Sequence, residues 1–162
     1  MEDGLLKNRL LFLLSVLAFS FILTGCGEDP KLSKFKKEID TFCSDIAAID
    51  ANINSIDAEA ETAKDELLEY LDQLDLAFQV LGNITAPTDY AYIEELADEA
   101  SSYMTIAVES YHEAFSNNSY NEYTAEYARE NYERAYKRVT VILRLLHGEE
   151  ITDADVTIEP IE

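Results

Sequence analysis

From Leu32 to Ile84, apolar residues return at alternating steps of three and four, and no glycine or proline interrupts the run before Gly82. The first half reads Leu32, Phe35, Ile39, Phe42, Ile46, Ile49, Ile53 and Ile56; the same register continues through Ala60, Ala63, Leu67, Tyr70, Leu74, Ala77, Leu81 and Ile84. A repeat averaging 3.5 residues puts one narrow apolar stripe along a helix, and such a stripe leaves water only by packing against other helices. An all-α antiparallel bundle with coiled-coil-like heptads is the expected fold.

Gly82-Asn83 supplies a stop, Pro87 restarts the chain, and Thr88 or Asp89 can cap a second periodic stretch. Its stripe is Ile93, Leu96, Ala100, Tyr103, Ala107 and Ala114, flanked by Ala97, Met104 and Tyr111, and its small residues predict close helix approach. Ser116-Asn117-Asn118 forms a polar break, after which Ser119 and Glu122 have the spacing of a capping box. The last helix is expected to bury Ala125, Ala128, Tyr132, Ala135, Val139, Ile142 and Leu146, and to end at Gly148. Arg134, Lys137, Arg138 and Arg144 gather toward its C-terminal half, where cations suit the helix dipole.

Two architectures satisfy this pattern. If the first stripe is one helix of about fifty residues, it is roughly 75 Å long at 1.5 Å per residue and far outruns the two later helices. Leu32 to Ile56 would then need another copy or another protein, and self-association through that segment follows. If the chain turns near Asn54-Ser55-Ile56-Asp57, four helices of similar length close an up-down-up-down bundle. The unbroken register favours the long helix with a three-helix body, because an internal turn normally resets the phase.

Ahead of the heptads, Leu10 to Leu23 is uncharged and apolar, preceded by Lys7 and Arg9, and it stops at Thr24-Gly25-Cys26. The run is shorter than the roughly 20 residues of a membrane-spanning helix and has the basic flank and apolar middle of a secretory signal. Leu23-Thr24-Gly25-Cys26 resembles the lipobox of bacterial lipoproteins. The resemblance implies cleavage between Gly25 and Cys26, lipid on the Cys26 thiol, and residence at the extracytoplasmic face of the cell membrane. It covers the export segment alone. On that reading residues 1–25 are signal, 26–30 a lipidated linker, 31–148 the bundle, and 149–162 an acidic, loosely held tail. Cys43 is then the one remaining thiol, either a half-buried core residue or the link of a disulfide dimer.

The formal charge is −21, and Glu2 and Asp3 cancel Lys7 and Arg9, so the segment after Gly25 carries all of it. A surface of that sign repels nucleic acid, and nucleic-acid binding is not expected. Lys31, Lys34, Lys36 and Lys37 lie close behind Cys26 and suit either an anionic leaflet or a solvated helix face.

The residues offer little chemistry. Glu109 and His112 make the one E-x-x-H, a pattern that di-iron bundles use in duplicate, but the chain has two histidines and His147 follows Arg144 at that spacing. With five glycines there is no phosphate loop, no nucleophile elbow and no zinc spacing. A non-catalytic protein with no cofactor and no metal is the expectation. Tyrosine is the oddity, since nine of ten fall between Tyr90 and Tyr136 and there is no tryptophan. Tyr120, Tyr123 and Tyr127 lie off the stripes at the tip joining the last two helices and are the candidate recognition surface, for a protein or a glycan partner. The expected role is a membrane-tethered binding, spacer or adaptor module; the alternative is a solute- or cation-binding lipoprotein with its ligand between the helices.

Overall fold

The computed structural model describes residues 29–116 and 120–152. The expected signal segment, Cys26, Ser119 and residues 153–162 lie outside them. Four helices, α1 (Pro30–Ser55), α2 (Ala63–Gly82), α3 (Tyr92–Phe115) and α4 (Glu122–Leu146), pack each on the next as an all-α antiparallel bundle, with a short 3-10 turn at Thr88–Tyr90.

The continuous long helix is not what forms. α1 starts on the Asp29 side chain, which accepts from the Lys31 amide at 2.9 Å, and Pro30 takes the first turn, where its missing N–H costs nothing. It ends at Ser55, with Ile56 extended at φ −61° and ψ 128°. The break needs no glycine or proline because polar side chains satisfy the terminus: Asn54 Nδ2 donates to Asp50 O at 2.7 Å and Ser55 Oγ to Asn52 O at 2.7 Å. Asp57 Oδ1 then accepts from the Glu59 amide at 3.1 Å, a side-chain-closed turn. From Ile56 to Ala63 is one heptad of sequence, so the repeat keeps phase across a reversal of direction. The demand for a second copy over Leu32 to Ile56 goes with the long helix, since Phe35, Ile39, Phe42 and Ile46 are buried within the chain.

α2 rotates slightly from the expected stripe. Leu71, Leu74, Phe78 and Leu81 are its buried residues, while Tyr70 and Ala77 sit at the boundary. Gly82 is its last helical residue and serves close approach rather than an unusual φ: a Cβ placed there would lie 2.8 Å from Ser101 Cβ on α3. In α3 and α4 the alanines Ala97, Ala100, Ala107, Ala114, Ala125, Ala128 and Ala135 are all buried and let the two backbones run close. α3 has no side-chain cap at its start; Glu94 instead reaches back to the Ala86 amide at 2.8 Å. α4 opens on Asn121, whose side chain accepts from the Thr124 amide at 3.2 Å, and Glu122 is its first residue rather than the third position of a capping box.

Gly148, at φ 73°, ends α4 as expected: its amide donates to Leu145 O and the Glu149 amide to Arg144 O, both at 3.0 Å. Arg144 Nε also meets Glu149 at 2.9 Å and Ile151 packs on the core, so the first tail residues are held. The C-terminal bases serve side chains more than the dipole. Arg138 is 5% exposed and its Nε lies 2.6 Å from Glu99, and Arg134 stands 5.9 Å over the Tyr103 ring.

Candidate functional site

With four helices among the described residues, the start of α1 and the end of α4 share one end of the bundle, where Phe35 of α1 meets Tyr90 at a ring separation of 6.0 Å. The other end carries the 56–62 turn, the end of α3 and the start of α4. At 26 residues, α1 sets these ends roughly 39 Å apart.

The E-x-x-H pair does not act as a unit. His112 Nε2 lies 2.7 Å from Asp72 Oδ1 on α2, and Glu109 is exposed. Two turns earlier on α3, Thr105 donates to Asp75 at 2.6 Å, and Gln79 donates to the other oxygen of Asp75 at 2.7 Å. His112 is thus one rung of a polar ladder joining α2 to α3. Among the described residues, no three His, Cys, Asp or Glu side chains converge to hold a metal, and no helix is long and apolar enough to cross a membrane.

A second polar cluster lies on the seam between α1 and α4. Tyr136 donates to both oxygens of Asp50, at 3.0 and 3.1 Å, and Tyr132 donates to Oδ1 at 3.2 Å. Burial raises the Asp50 pKa above its ordinary value against the lowering effect of these phenol donors, and burial beside Asp50 raises both phenols. The rings continue inward. Tyr132 stacks on Tyr136 at 4.7 Å, Tyr136 meets Phe78 at 5.5 Å, and Phe78 meets Phe42 edge-on at 5.1 Å. The aromatic path therefore leaves α1 at Phe42, crosses α2 and α4, and returns to α1 at Asp50. Tyr132, expected as plain core, is half of this clasp. Asp50 sits between Ile49 and the later stripe residue Ile53, and an acid so placed was the available signal. Cys43, one heptad before Asp50 on α1, is half-buried, and burial with Asp40 nearby pushes its thiol up to about 11. A thiol held protonated is a poor partner for disulfide exchange.

The three candidate tyrosines stand at the end away from the start of α1. Tyr123 is 85% exposed, Tyr120 59% and Tyr127 41%. They do not form one face. Tyr120 leans on Phe115 at 5.2 Å, whereas Tyr123 and Tyr127 follow each other by one turn along α4. Glu130 continues their line at i+7 from Tyr123, half-buried, with its Oε2 shut from solvent and without a hydrogen-bond partner among the described residues. No sequence pattern singles Glu130 out. Leu76 and Val80 are a further exposed apolar pair, one turn apart on α2.

No family model matches the chain, and comparison with curated proteins and with solved structures finds no match.

Proposed function

We propose that the protein is a lipid-anchored module of the extracytoplasmic membrane face, non-catalytic, which holds a tyrosine-bearing end away from the bilayer for binding. The observation that carries this reading is axial. α1 begins four residues after Cys26, and Tyr123, the most exposed aromatic among the described residues, stands at the opposite end of a bundle roughly 39 Å long. A lipid on Cys26 would fasten one end, since each buried methylene contributes about 0.8 kcal/mol. A closed bundle with an apolar core then acts as a stiff spacer. The contacts between helices support a structural role for these polar groups, because Asp50, Asp72 and Asp75 all meet partners from other helices.

The test has two arms. Cells expressing the chain are fed an alkyne fatty acid; label on the wild type and none on Cys26→Ser supports the anchor, and equal label on both refutes it. A photo-crosslinking residue at position 123 should then give an adduct of discrete mass that the same residue at Asp98, nearer the start of α3, does not. Crosslinking that is indifferent to position would refute the binding end.

A further inference from the structure

The Tyr123, Tyr127 and Glu130 line on α4 is chemically more specific than an exposed aromatic patch. Two rings one turn apart offer π faces, and a carboxylate completes the same flank at i+7. The usual intrahelical partner of Glu130 is a base four residues on, but Arg134 stands over the Tyr103 ring and makes no ion pair with Glu130. The Glu130 carboxylate has no ion pair among the described residues, so its charge is left to be met by an occupant that brings a cation.

Charge decides what the occupant is. The basic side chains of this end already face acids: Lys64 lies 3.7 Å from Asp65, His112 meets Asp72, and Arg129 bridges Glu126 and Glu133. Glu113 at the end of α3 and Glu122 at the start of α4 have no ion pair among the described residues. Local potential is therefore negative beside open aromatic faces, and this combination attracts a cation through ring quadrupole and carboxylate together. A neutral glycan would use the rings but leave Glu130 unanswered.

We propose that Tyr123, Tyr127 and Glu130 receive the ammonium or guanidinium group of a lysine- or arginine-rich segment of a partner protein, a refinement that rests on the binding-module reading above. The test uses the full chain in non-ionic micelles and a fluorescent decalysine peptide, with anisotropy as the readout. Tyr123→Ser leaves net charge untouched and changes a residue that is 85% exposed, so the fold survives. Glu130→Gln removes one charge at the site, and Glu95→Gln removes one in the first turn of α3 at the other end. The expected result is about tenfold weaker binding for Tyr123→Ser and for Glu130→Gln, against less than about twofold for Glu95→Gln. Equal losses for the two glutamate variants with Tyr123→Ser unchanged would mean diffuse polyanion attraction and overturn the proposal. If a soluble chitooligosaccharide binds in a Tyr123-dependent way while decalysine does not, the cationic partner is overturned and the binding module stands. If neither probe responds to Tyr123→Ser, both fall.

Discussion

Gly82→Ala sets two opposing effects against each other at one atom. The new methyl would sit 2.8 Å from Ser101 Cβ and 3.1 Å from Ser101 Oγ, with Ala97 O at 3.6 Å. Carbon atoms prefer about 3.5 to 4.0 Å, so α2 and α3 must part by about 0.7 Å or more at a point where the obstacle is a Cβ fixed to its backbone. Overpacking of this kind costs about 1–3 kcal/mol. Alanine returns up to about 1 kcal/mol of helix propensity over glycine, less at the last helical residue. The net expectation is a loss of about 0.5–2 kcal/mol, or a melting point lower by about 2–8 °C for a domain of this size. Urea unfolding followed by far-UV circular dichroism measures it, and a cycle with Ser101→Gly isolates the cause. Once Ser101 loses its Cβ, the methyl has room and Gly82→Ala should turn stabilising. If Gly82→Ala raises stability in the wild-type background, or if its sign does not change beside Ser101→Gly, close approach is not what Gly82 provides.

Two further outcomes follow from charge. The folded-state pKa of Asp50 is raised from its ordinary 3.8, so the native chain holds that proton more tightly than the unfolded one. Its contribution to stability should therefore grow as pH falls from neutral toward about 4 and level off below. Asp50→Asn does not titrate, so wild-type stability minus that of Asp50→Asn should rise over that window; a flat difference would show that Asp50 is not strained by burial. The formal charge of −21 predicts a higher melting point in added sodium chloride as screening relieves self-repulsion, and a melting point indifferent to salt would contradict it.

The α1 stripe was legible residue by residue, because phenylalanine and isoleucine at heptad spacing have one use. The alanines of α3 and α4 were equally plain, since small residues in register have little function besides close packing. What misled was phase. The 56–62 turn replaces one heptad, so counting threes and fours passes through it unaware, and the residues that make the turn, Asn54, Ser55 and Asp57, act by hydrogen bonds that periodicity does not register. α2 then buries Leu71 and Phe78 in place of Tyr70 and Ala77, choosing bulk over strict register. The exposure of Tyr120, Tyr123 and Tyr127 could be read from their places off the stripe. Their division into two settings could not, nor could the orphaned oxygen of Glu130, because both depend on how α3 and α4 meet.

The even helix count also sets how the bundle bears force. A pull between the start of α1 and Tyr123 runs parallel to the helix axes, so the helices must slide past one another rather than peel apart turn by turn. Where α1 meets α4, the contact is loaded in shear, and the clasp of Asp50 with Tyr132 and Tyr136 lies across that sliding direction. Resistance to such a pull is governed by the unfolding rate rather than by equilibrium stability. Loosening this clasp should therefore shorten the lifetime under load more than it lowers the melting point.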